Sequence, residues 1–297
     1  MEKTQTQILK EKLFRPKKNG WESLKENEKK DIFSYAQGYM DFINEAKTER
    51  ECVKAITEIL DKHGFTNIEN TANLKAGDKV YYINRYKNVY AAVIGSNDLS
   101  NGFNIVGAHI DSPRLDLKPN PLYEDNELAL LKTHYYGGIK KYQWVNIPLS
   151  MHGVIMKKNN EKIEINIGEK EGEPIFTIAD LLPHLSSQQE KKKLNEAIAG
   201  EDLNILVGSI PFDTDEDITD KVKLNILNLL NQKYGIVERD FVSSEIEFVP
   251  AMKASSLGFD ESLVAGYGQD DRVCAYTSLT ALLEVKNPTR TAICLLA

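Results

Sequence analysis

The sequence predicts an α/β fold, a helix-and-sheet domain interrupted by a largely β inserted domain. Three observations carry this prediction. Two amphipathic helical patterns lead through short strand-like runs to an apolar strand at 104–110. After Pro113 the texture changes to turns and hairpin-like segments. From about Glu245 the alternation of strand and helix resumes and continues to Ala297. At 297 residues the chain is two ordinary domains long, which suits a host and an insert. The host is assigned to 1-116 plus 247-297 and the insert to 117-246.

Each element has its own local reason. Residues 26–45 carry Ile32, Tyr35, Met40, Phe42 and Ile43 at helical spacing. A second helix is predicted over 50–63, with Val53, Ile56, Ile59 and Leu60 on one stripe and Gly64 as its stop. Strands are predicted at 79–86 and 89–94, joined by a turn around Lys87 and Asn88. The run 104–110 reads as a buried strand that delivers His109 at its C-terminal end, where ligands of α/β sheets gather. The insert is expected to begin with a turn-rich entry from Pro119 to Asn126, with a further tight turn at Gly137-Gly138. Strands then follow at 143–157 and 162–167 around a hairpin at Asn159-Asn160, and helices at 189–199 and 218–234. The host resumes with a strand at 245–252, a helix at 272–284 and an apolar strand at 291–297. That last strand has no covering segment after it, and the sequence reads as unfinished.

Composition narrows the function classes. Forty-one per cent of residues are hydrophobic and 27% charged, as in a globular protein. The formal charge is -7, and the bases form no face-sized cluster, which argues against nucleic acid as a partner. No apolar run approaches a membrane span, and the N-terminus lacks the core of a signal peptide, so a cytoplasmic protein with no membrane partner is expected. Cys52, Cys274 and Cys294 are odd in number, without CxxC spacing and in apolar settings, which reads as buried reduced thiols.

Two clusters could carry chemistry. His109 and Asp111 form an HxD pair at a strand end, where an imidazole can bind a metal and the carboxylate can fix its tautomer. The same pair is equally readable as an ordinary surface turn before Ser112-Pro113. Asp270 and Asp271, just before a helix, could offer a metal an oxygen ligand, or could simply cap the helix beside Arg272. His63 suits a helix C-terminus, while His134, His152 and His184 read as structural histidines. No nucleophile triad and no phosphate loop is present.

Taken in order, Val106-Gly107-Ala108-His109-Ile110-Asp111-Ser112-Pro113, Tyr136-Gly137-Gly138, Leu182-Pro183-His184-Leu185 and Gly268-Gln269-Asp270-Asp271-Arg272 form a recognisable set. With them the sequence resembles the aspartyl aminopeptidase and aminopeptidase I family of zinc metallopeptidases, from about residue 30 to the end. The resemblance implies an aminopeptidase acting on peptide substrates, with acidic N-terminal residues the best-known choice. It implies a homo-oligomer built through the β-rich insert. It also implies two zinc ions, which in such sites polarise the substrate and activate a water between them. By position, His109 would bind zinc, Asp270 would bridge the two ions and Asp111 would orient His109. His184 would meet substrate in a neighbouring subunit.

The chain departs from that pattern in one respect. The family's adjacent glutamates, a later carboxylate ligand and a C-terminal histidine have no counterpart among these 297 residues. The expectation is therefore an incomplete metal site and a chain inactive alone. The competing expectation, from a different class, is a non-catalytic oligomerisation or interaction module. A zinc deacylase would share the HxD pair but not the Pro183-His184-Leu185 or Gln269-Asp270-Asp271-Arg272 settings.

Overall fold

The computed structural model describes residues 3–15 and 17–297. Helix α1 (Gln5–Leu13), none of whose residues is buried, is followed by α2 (Glu26–Glu45) and α3 (Glu49–Lys62). Strands β1 (Thr66–Asn67), β2 (Lys79–Asn84), β3 (Asn88–Val93) and β4 (Asn104–Ala108) come next. They are succeeded by β5 (Arg114–Asp125), β6 (Leu128–Tyr136), β7 (Leu149–Met156), β8 (Lys162–Ile167) and β9 (Ile205–Gly208). Helix α4 (Lys221–Tyr234), strands β10 (Ser244–Pro250), β11 (Ser255–Leu257) and β12 (Leu263–Ala265), helix α5 (Gln269–Leu283) and β13 (Ala292–Leu296) complete the order.

The strands sort into two main sheets. The first has the order β1-β2-β3-β13-β4 and the second β8-β7-β10-β5-β6-β9, with β11 and β12 as a separate pair. The first sheet packs against α2, α3 and α5 through Phe42, Ile43, Ile56, Leu60, Val89, Leu279 and Cys294. In α3 the buried stripe of Cys52, Val53, Ile56 and Leu60 follows the helical repeat. A reciprocal Thr48–Glu51 capping box starts that helix, and Gly64, at φ +80°, supplies the left-handed turn beyond its end. The second sheet has its own core, centred on Leu115, Leu149, Ile155, Leu203, Ile205 and Phe248.

Several local expectations are corrected. The β2–β3 turn lies at Arg85 and Tyr86, both at positive φ, because Asn84 already pairs with Asn88. Strand β4 is not buried: it pairs with β13 at the sheet edge, and Ile105 and Val106 are about half exposed, at 50% and 47%. The supposed turn from Pro119 to Asn126 lies largely within β5. Its prolines fall in a register shift between Leu117 and Leu122, where the ladder is interrupted and needs no proline N–H. The tight turn is instead at Asn126 and Glu127, both at positive φ, leading into β6. Residues 189–199 form irregular turns and no helix; of the apolar side chains there, Leu194 is exposed and Ile198 buried. Cys274 is exposed, on the outer face of α5, while Cys52 and Cys294 are buried.

The second sheet spans 114–250, so the expected boundaries at 117 and 246 fall inside β5 and β10. These entry and exit strands are antiparallel neighbours, with Asp116 opposite Glu247 and Leu115 opposite Phe248. A seam of charges ties the second sheet to the start of α3. Arg114 donates to Glu49 at 2.8 Å, Arg50 to Glu245 at 2.8 Å, and Lys47 pairs with Glu169 at 2.9 Å. His152, 1% exposed, lies between Glu51 at 2.7 Å and Glu169 at 3.1 Å.

Candidate metal centre

His109 follows directly on β4, at the end of the strand that the sequence reading singled out. Arg272, 1% exposed, fixes the backbone behind it by donating through Nε to the Ile110 carbonyl at 3.2 Å and through a terminal nitrogen to the Lys47 carbonyl at 2.8 Å. Asp270 lies at the start of α5, where Asp270 and Asp271 have non-helical backbone angles, and the peptide bond between them is cis. The Ser112 hydroxyl donates to the Asp270 carbonyl at 3.3 Å, joining the two segments.

The side chains converge on the imidazole. His109 Nδ1 lies 2.9 Å from Asp111 Oδ1, and Nε2 lies 3.2 Å from Asp270 Oδ1. The second oxygen of Asp111 accepts from the Tyr136 hydroxyl at 2.8 Å. Partial burial pulls the His109 pKa down, but the Asp111 charge and the hydrogen bonds to Asp111 and Asp270 outweigh it and leave the pKa raised. With both nitrogens facing carboxylates, the imidazolium is favoured while Nε2 carries a proton. A divalent cation would take that proton's place.

The donor set fits zinc. Imidazole nitrogen and carboxylate oxygen bind it at about 2.0–2.2 Å, so two tetrahedral ligands stand roughly 3.4 Å apart. The 3.2 Å between Nε2 and Oδ1 is close to that separation. Asp270 is 96% exposed and His109 48%, so both donors are accessible. Among the described residues no group of three or more His, Cys, Asp or Glu side chains has the geometry of a metal site.

The structure thus brings His109, Asp111 and Asp270 together. It leaves His184 elsewhere: exposed, in the irregular segment after β8, with no hydrogen bond or ion pair to those three. His152, read as structural, does sit in the buried seam, and His63 bonds the Ile59 carbonyl at a helix end. Sequence reasoning did not assign Tyr136, Arg114 or Arg272 any part in the site. The Tyr136-Gly137-Gly138 turn was the signal for the first, although nothing local tells which carboxylate its hydroxyl meets.

Comparison with known proteins gives these positions a context. The family described as aminopeptidase I zinc metalloprotease (M18) matches residues 42–296. A probable M18 family aminopeptidase 1 from Clostridium acetobutylicum is 52% identical over 96% of this chain and 62% of its own length. The crystal structure of an M18 aminopeptidase from Thermotoga maritima superposes with a TM-score of 0.89 at 48% identity, covering 95% of this chain and 61% of that one. The chain therefore spans about three fifths of the length of the curated relatives it matches. A Saccharomyces cerevisiae structure described as an mApe1 dodecamer shares the fold at 22% identity and a TM-score of 0.66, over 90% of this chain and 60% of that one.

Proposed function

Because the chain belongs to the aminopeptidase I zinc metalloprotease family (M18), we infer that it carries part of the active centre of an enzyme that removes N-terminal residues from peptides. One observation supports the assignment of residues: a single imidazole is held by Asp111 through Nδ1 while Nε2 faces Asp270 at 3.2 Å. On this reading His109 and Asp270 would hold zinc, Asp270 as the carboxylate shared if two ions bind, and Asp111 would orient His109. Zinc would supply Lewis-acid polarisation of the scissile carbonyl and a water of lowered pKa. The chain's own part is to hold two donors at ligand spacing and to keep the imidazole in one orientation.

Two donors do not complete a tetrahedral ion. The remaining ligands and the general base are proposed to belong to the portion of the relatives' length that this chain does not match. The 297-residue chain alone is then inactive. Zinc uptake by equilibrium dialysis tests the ligand assignment: His109→Ala and Asp270→Ala should each abolish whatever binding the chain has, and binding unchanged in both would overturn it. A peptidase rate that is robust and chelator-sensitive in the purified chain would overturn the inactivity. Peptide substrates differing only in the N-terminal residue decide whether acidic residues are preferred.

Self-association is proposed as well. Leu181, Leu182 and Leu185 are exposed around His184, an apolar segment suited to burial against a second copy. The S. cerevisiae relative is a dodecamer by its description. His184 would then reach the centre of a neighbouring copy. Sedimentation of the wild-type chain and of Leu182→Asp tests this: a wild-type monomer would sink the proposal. The named relatives are aminopeptidases, which does not favour a purely structural module.

A further inference from the structure

The second sheet meets the candidate centre through Tyr136. Arg114 opens β5, three residues after Asp111, and Tyr136 closes β6; the two are directly opposed in the ladder. Their side chains meet on one face, with the Arg114 guanidinium 4.0 Å from the centroid of the Tyr136 ring. That guanidinium is itself fixed, donating to Glu49 at 2.8 Å and Asp116 at 2.7 Å. The ring is therefore clamped from one side, and its hydroxyl points at Asp111 Oδ2. Gly137, at φ +74°, follows at once, and a Cβ on it would press on Pro113, so the turn is seated on the His109–Pro113 segment.

We propose that Tyr136 is a positioning residue for the metal centre, acting through Asp111 to fix the orientation of the His109 imidazole. The carboxylate is held at both ends: one oxygen takes the His109 Nδ1–H, which also faces the Asp111 backbone carbonyl at 3.2 Å, and the other takes the Tyr136 hydroxyl. A carboxylate held only by an imidazole can turn about its Cβ–Cγ bond, whereas one held at both oxygens cannot. The phenol stays protonated, since its bond to Asp111 raises its pKa. The second sheet thus contributes to the centre a hydroxyl that is directed at Asp111. Partners of this kind keep a metal-binding imidazole in one tautomer, and their loss weakens metal sites roughly 10–100-fold.

The inference rests on the reading of His109 as a ligand, but its test is independent of any metal. Heteronuclear NMR of the His109 imidazole in the 297-residue chain, on the alkaline side of its titration, reports which nitrogen carries the proton. The wild type should show the Nδ1–H form. Tyr136→Phe, which keeps the ring beneath Arg114, should lower the ratio of the Nδ1–H to the Nε2–H form several-fold. Equal ratios in Tyr136→Phe and the wild type overturn the proposal. So does an effect confined to Tyr136→Ala, which would assign the ring a packing role alone. Failure of zinc to depend on His109 would remove the ligand reading and leave the tautomer result standing, so the two failures are distinguishable.

Discussion

His152 and Glu51 meet at 2.7 Å across the junction between the second sheet and helix α3, and the imidazole is 1% exposed. Desolvation disfavours the charged ring, but hydrogen bonds to Glu169 and Glu51 and their charges overcome it and raise the pKa to about 9. The folded value lies above the ordinary 6.5 of the unfolded chain. This contribution to stability is therefore fully present below that value and is lost as pH rises through about 9. A shift of this size corresponds to about 3 kcal/mol. Urea unfolding of His152→Gln should show a deficit of that order near neutrality that shrinks at strongly alkaline pH.

Glu247 should behave in the opposite sense to a typical paired carboxylate. It is 2% exposed, with Oε2 lacking a hydrogen bond, and burial followed by the charge of Glu49 raises its pKa to about 8, against the pull of Arg114 and Lys87. The folded chain then holds a proton that the unfolded chain releases near 4.5, so stability falls as pH rises between these values. Glu247→Gln removes that loss. Unfolding curves should show the variant gaining on the wild type as pH rises through this window; a constant difference would contradict the assignment.

Neighbouring residues in one motif should separate by role. Asp270 is exposed, and Asp270→Asn should leave the unfolding midpoint unchanged while reducing zinc uptake. Arg272 is buried and holds two carbonyls, so Arg272→Met should cost about 2–4 kcal/mol through unpaired backbone acceptors and lost packing. Thermal unfolding of the two variants side by side checks the contrast.

Thiol chemistry gives a direct test of the packing. Burial pushes the Cys52 thiol up to about 11 and the Cys294 thiol up to about 12, while Cys274 is exposed. A maleimide should therefore label one cysteine in the native chain, identifiable by mass spectrometry as Cys274, and all three after denaturation. Native labelling of Cys52 would show that α3 is not packed as described.

The sequence was most informative where side-chain spacing alone decides the outcome. The range 26–45 predicted for α2 coincides with the helix, although only its C-terminal half is buried and Ile32 and Tyr35 stay exposed. The strand before His109 was legible from its apolar run, but its exposure was not, since burial depends on which strands flank it. The β5–β6 hairpin was hidden by Pro119 and Pro121, whose cost vanishes only because a register shift falls at those positions. At 189–199 a helical spacing was present, but Ile198 enters the second core while Leu194 stays exposed, and the segment is irregular. The His109–Asp111 pair could be read locally. Its bond to Tyr136 spans 25 residues and that of His152 to Glu51 spans 101, and no local pattern announces either.

Strands β5 and β10 leave and rejoin the host as paired neighbours. His109 and Asp270 are 161 positions apart, a separation that in a loose chain would delay their meeting, since distant ends must find each other before any bond rewards them. Once the inserted sheet has closed its own ladder, the two ends emerge side by side and the host experiences only a short bridge. Pairing of β5 with β10 therefore shortens the effective separation between the segments that carry His109 and Asp270. A lesion deep in the second sheet that opened this pairing would then separate His109 from Asp270 without touching either.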